Sequence, residues 1–198
     1  MNRELLPKNF IKKHPLKEYS AAMFADLNIR LVHADELNAE IDKIVIPRIE
    51  RDRREAIVQG EKHIEEIETA EEIVAQMRKK NEMSIIPLLC KKALTIQDEV
   101  MPLVLRRYKT TIQDHFIETA VRLFGNADRK YTIDLFHQYR EIRNEYARSM
   151  ACLLFGEQNI EESIPLLLSE YERFMKSYPE ESYDQGPLFA LHILCGEA

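Results

Sequence analysis

Three histidines are each followed three residues later by a glutamate, His33 with Glu36, His63 with Glu66 and His115 with Glu118, and Asp134 precedes His137 at the same spacing. Residues three apart share a face of a helix, so each pair could offer an imidazole and a carboxylate to one cation. A di-iron bundle, however, needs two Glu-x-x-His segments and a further glutamate from each of two more helices, and the sequence contains no Glu-x-x-His. With 34 Asp and Glu in 198 residues, such pairs arise from composition alone. They are expected to be exposed helical pairs, and neither a metal nor a cofactor is expected. Cys90, Cys152 and Cys195 are scattered among apolar neighbours without a C-x-x-C pair, as buried free thiols would be. His192 sits in LFALHILC, on or beside an apolar face. There is no G-x-S-x-G, no Walker A loop, no G-x-G-x-x-G and no H-E-x-x-H, and five glycines are too few to build phosphate-cradling loops. No residue is assigned a catalytic role.

Arginine and tyrosine offer a different chemistry. HQYREIRNEYARS brings Tyr139, Arg140, Arg143, Tyr146 and Arg148 together, and Tyr178, Tyr183 and Gln185 follow in the last turn and helix start. Arg and Tyr are the residues most often energetic at protein interfaces. If Ile142, Tyr146, Met150 and Leu153 form the buried stripe of one helix, Arg143, Asn144 and Arg148 fall on its solvent side. These three are the predicted partner-binding residues, their guanidinium forks suited to an acidic or carbonyl-rich segment. Surface pairs contribute little to stability, so changing Arg143 and Arg148 to Ala is expected to weaken partner capture without moving the melting temperature.

The elements that must position these residues are helices. From Glu161 to Gly196 the chain reads as helix, turn, helix. Ile164, Leu167, Leu168, Tyr171, Phe174 and Met175 make one stripe, SYPEESYDQG breaks it, and a second helix opens at Pro187. Three apolar runs end in glycine, at Gly125, Gly156 and Gly196, 31 and 40 residues apart (156 − 125 and 196 − 156). Glycine after the last periodic residue is a common C-terminal stop. EVMPLVLRRY and ESIPLLLSEY carry Pro and Tyr at the same offsets. The spacing suits a helical solenoid, in which each unit completes its neighbour's core.

IRNEYARSMACLLFGEQNIEESIPLLL resembles the second helix, turn and Pro-bearing first helix of HEAT and armadillo-like repeats, through Arg148, Ala151, Leu154, Gly156, Pro165 and Leu166. The resemblance covers roughly residues 83–198. It implies stacked antiparallel helix pairs, an α-α superhelix that binds a protein or peptide along a groove. EYARSMACLLFG followed by PEESYD also resembles fragments of TorD-like all-helical maturation chaperones.

Upstream, residues 1–15 read as an irregular lead-in. Leu16, Tyr19, Met23, Leu27, Leu31, Ala34, Leu37, Ile41 and Val45 then step at helical spacing towards a break at Pro47. A thinner stripe follows at Ile57, Ile64, Ile67, Val74 and Met77, with Gly60 as a possible bend. Residues 1–82 are therefore expected to form a long helical hairpin that caps repeats running over 83–198. That hairpin also offers a route to a dimer.

The class expected is all-α. A net charge of −6 argues against a phosphate-neutralising nucleic-acid surface. The beginning MNRELLPKNFIKK lacks a secretory apolar core, and no run approaches membrane-spanning length, so a cytoplasmic protein with no membrane contact is expected. The favoured function is a non-catalytic helical-repeat scaffold or adaptor. A helical-bundle metalloprotein or enzyme using the His/Glu pairs is the alternative, and a TorD-like chaperone a lesser one.

Overall fold

Stripe spacing and local caps turn this sequence into helices wherever the structure, a computed structural model, describes it, over residues 7–15 and 47–196. In chain order the helices are α1 (Phe10–Lys13), α2 (Pro47–Glu66), α3 (Ala70–Met77), α4 (Ile85–Thr95) and α5 (Gln97–Tyr108). They continue with α6 (Asp114–Asn126), α7 (Arg129–His137), α8 (Glu145–Glu157), α9 (Ile164–Ser177) and α10 (Gln185–Cys195). Short 3-10 turns at Tyr139–Glu141 and Glu161–Ser163 lead into α8 and α9, and no strand occurs among the described residues. The chain is all-α. No helix of the described residues is long and apolar enough to cross a membrane. The expected helix over Leu16–Val45, and with it the first arm of the hairpin and any dimer it would form, lies outside the described residues.

Local chemistry sets several helix ends. A capping box opens α3: the Thr69 hydroxyl accepts from the Glu72 N–H at 3.3 Å while the Glu72 carboxylate accepts from the Thr69 N–H at 3.1 Å. Donation from the Glu68 and Thr69 N–H groups and the Thr69 hydroxyl holds the Glu72 pKa below the ordinary carboxylate value. This box moves the break between α2 and α3 to residues 67–69. Gly60 lies inside α2, which continues through it without a boundary, and a Cβ there would come within 2.8 Å of Ile85 Cδ1 on α4.

The glycine stops also differ from expectation. Gly125 and Gly156 are the penultimate residues of α6 and α8, Gly196 is an extended C-cap, and no glycine among the described residues has positive φ. The left-handed residue that ends α8 is Asn159, at φ 52°. Its N–H reaches Gly156 O at 2.9 Å, and the Ile160 N–H reaches Phe155 O at 2.9 Å, completing both bonds of a Schellman motif. Gly156 is needed for approach. A Cβ at this position would stand 2.6 Å from Ala190 Cα and 2.8 Å from Ala190 Cβ on α10. Gly156→Ala is expected to cost about 1–3 kcal/mol by overpacking, read from urea denaturation; an unchanged midpoint would mean that α8 and α10 can separate without loss.

Helices two apart pack together: α2 against α4, α4 against α6, α6 against α8, and α8 against α10. Beside this row α3 packs on α5, α7 touches α6 and α8, and α9 covers α10. Ile57, Ile64, Ile73 and Met77 belong to the same core as Leu154, Leu167 and Leu191. The most enclosed helix is α8, buried continuously from Ser149 to Gly156. A helix apolar on every side belongs inside, so the stripe expected through Met150 and Leu153 is only part of its buried surface.

The start of the chain meets its end. Phe10 lies edge-on to Tyr171, His14 Nδ1 is 3.0 Å from the Tyr171 hydroxyl, and His192 Nε2 is 2.9 Å from His14 O. Residues 7–15 therefore contain a docked turn of helix on α9 and α10, where an irregular lead-in was expected.

Candidate functional site

The His/Glu pairs separate into different surroundings. His115 Nε2 lies 2.8 Å from Arg78 O, while Glu118 accepts from the Tyr146 hydroxyl at 3.2 Å. His63 and Glu66 are exposed on α2, and Asp134 and His137 are exposed on α7. His33 and Glu36 lie outside the described residues. No group of three or more His, Cys, Asp or Glu side chains able to hold a metal occurs among the described residues. The thiols are equally committed. Burial pushes the Cys90 thiol up to about 12, and burial also raises that of Cys152, which donates to the Tyr139 hydroxyl at 3.4 Å. Neither forms a thiolate near neutrality, the species a nucleophile or metal ligand requires.

Sequence reasoning left Glu170 and Arg173 unnoticed, and the structure makes them the centre of a polar network. Glu170 is 7% exposed, and its carboxylate accepts from Arg173 Nε at 3.0 Å and Nη2 at 2.7 Å. The same Nη2 donates to Glu145 at 2.5 Å, across from the first turn of α8. Glu145 also accepts from the Tyr178 hydroxyl at 3.3 Å. The guanidinium is 4.3 Å from the centre of the Phe174 ring, and Phe174, Tyr178 and Tyr183 pack ring against ring. Burial raises the Tyr139 pKa, with Cys152 and Glu170 adding to the effect. Every group in this network is satisfied by another, an arrangement that joins α8, α9 and the last turn rather than presenting a reactive atom.

No family model, curated protein or solved structure matches this chain.

Function must therefore be read from the chain's own surfaces, starting with the three predicted partner-binding residues. They do not share one solvent face of a helix, because α8 begins only at Glu145. Asn144 is its N-cap, with Oδ1 accepting from the Ala147 N–H at 2.9 Å. Arg143 precedes the helix with an exposed side chain, and its N–H donates to Lys109 O at 3.0 Å. Arg148 is half-buried: Nε donates to Ile142 O at 2.7 Å, Nη2 reaches Arg140 O at 3.5 Å, and the guanidinium lies 5.7 Å from the Tyr139 ring centre. It braces the turn into α8. The expectation that losing Arg148 leaves stability untouched is therefore corrected. Arg148→Ala should cost about 1.5–3 kcal/mol, as for hydrogen bonds from a charged donor, while Arg143→Ala should stay within about 0.5 kcal/mol. Equal melting temperatures for the two variants would refute the bracing role.

A different set of arginines has no carboxylate within ion-pair distance among the described residues. Between α3 and α5 runs a groove of about 370 Å³ with Val74 and Leu103 among its apolar lining, Arg78, Arg106 and Arg107 along it, and Glu71 at the start of α3. Arg78 and Arg106 are exposed and Arg107 is half-buried. The Arg107 Nε is buried without an acceptor. Three other cations of the described residues do have carboxylates: Lys109 has Glu141 at 2.7 Å, Lys130 has Asp98 at 2.8 Å, and Arg173 has two.

Proposed function

We propose that this chain is a non-catalytic helical-repeat scaffold or adaptor that binds another protein, working in the cytoplasm. The observation that carries the reading is the alternating packing of α2, α4, α6, α8 and α10 in a row, with the intervening helices beside it. Such a row is how helix pairs stack in an α-α superhelix, and stacking creates extended surfaces along which a partner segment can lie. In this reading residues 83–198 are the repeats and residues 1–82 cap them. The interior adds support, because its Cys90 and Cys152 thiols are held protonated and the partly buried Arg173–Glu145 pair joins helices.

The test is affinity capture with the tagged full chain in its native cell, followed by reconstitution of the pair from purified proteins on a sizing column. One protein recovered in stoichiometric amount and co-eluting after reconstitution is the expected result. Recovery of the chain with a bound metal or small molecule, and no protein, would overturn the scaffold reading.

A further inference from the structure

We infer that the groove between α3 and α5 is the docking site for a short acidic segment of a partner protein, an inference that rests on the scaffold reading. Arg78 caps the C-terminus of α3, and Arg106 and Arg107 occupy the last turn of α5. Positions near helix C-termini favour cations electrostatically, which accounts for their charge but not for the lack of carboxylates around all three. Among the described residues none of the three has a carboxylate within ion-pair distance, in a chain of net charge −6. The Arg107 Nε is buried with no acceptor inside the protein, while the half-buried side chain as a whole lines the groove and can offer its remaining N–H groups there. Guanidinium is matched to carboxylate by geometry as well as charge, two parallel N–H donors meeting two oxygens.

The dimensions narrow the occupant. Beside α3 the groove is lined from Glu71 to Arg78 and beside α5 from Leu103 to Thr110, a separation of seven residues on each side, or about 10 Å. That is the span of about three extended residues, whose alternate side chains lie about 7 Å apart on one face. Two acidic side chains at alternate positions can meet the arginines while apolar atoms rest on Val74 and Leu103. Glu71 leaves one end of the groove negative and sets the direction in which an acidic segment enters. A nucleic acid fits poorly, since three cations beside an apolar floor and a carboxylate provide neither a phosphate track nor a stacking platform.

The experiment uses fluorescence anisotropy of the full chain with rhodamine-labelled octaglutamate, octaglutamine and octathymidylate. Octaglutamate should bind, octaglutamine should not, and Arg106→Ala with Arg107→Ala should weaken octaglutamate at least about tenfold, the loss of charge-assisted bonds. Arg140→Ala with Lys176→Ala, which removes exposed cations elsewhere, should change nothing. Arg78→Ala gives the same readout should the Arg107 change disturb folding. Equal binding by the groove variant, an equal loss in the Arg140 and Lys176 variant, or tighter binding of octathymidylate would each overturn the inference. Capture of the native partner by the groove variant at full yield would reject the groove while leaving the scaffold reading standing; capture of no protein by the unaltered chain would reject that reading itself.

Discussion

Arg173→Met should destabilise the protein by about 1.5–3 kcal/mol, the range for losing hydrogen bonds to a charged group and leaving the other charge unsatisfied. Glu170 is the group stranded. Its side chain is 10% exposed, and both of its charged hydrogen bonds come from Arg173. Removing the guanidinium also deprives Glu145 of its cation and strips the flat group that lies against Phe174. Replacing Glu170 by Leu in the same variant should recover much of the loss, because an apolar pair of similar volume needs no desolvation. Chemical denaturation of the single and double variants reads both effects. A single variant within about 1 kcal/mol of the unaltered protein, or a double variant less stable than the single one, would show that the pair is not what joins α8 to α9.

Truncation of Leu154, Leu167 or Leu191 to Ala should each cost about 2–5 kcal/mol through lost burial and the cavity left behind. All three are fully buried and lie on α8, α9 and α10 respectively. Leu154 should give the largest loss because α8 is enclosed by α6, α7 and α10, leaving its neighbours little room to collapse into the gap. Since α8 packs on α10, the Leu154 and Leu191 changes need not add, and the double variant measures their coupling. Losses below about half a kcal/mol for all three would place the core elsewhere.

The helical class was legible because stripes at three- and four-residue spacing recur through the described chain. Thr69 followed by Glu72 is a visible capping-box signature, and giving it weight would have placed the break before α3 instead of at Gly60. Other features were hidden by ambiguity of the same residues. A glycine near a helix end can serve as a left-handed stop or as a gap for a neighbouring helix, and only the position of Ala190 decides that Gly156 is the second. The charge-free run from Ser149 to Gly156 was itself a signal of burial on all sides. It was missed because extending the stripe backwards to Ile142 produced a plausible solvent face, whereas Ile142 precedes the helix. Glu170 and Arg173 show helical spacing in the sequence, but Glu145 and Tyr178 join them only across the fold. The α3–α5 groove draws its cations from segments nearly thirty residues apart, so neither the Arg78-Lys79-Lys80 run nor the Arg106-Arg107 pair announces it alone.

The clasp of residues 7–15 on α9 and α10 has a consequence for the order in which the molecule can be completed. His14 meets Tyr171 and His192 across 157 and 178 residues of chain. On a ribosome adding about 5–20 residues per second, residues 7–15 must wait about 10–35 s for the surface that receives them. Phe10, 7% exposed in the finished protein, has no docking surface through that interval. The helices from α2 to α8 can assemble in the order they emerge, but the clasp can close only once translation has delivered His192. Closure joins segments 157 and 178 residues apart, so this contact forms only after every helix between them has been made.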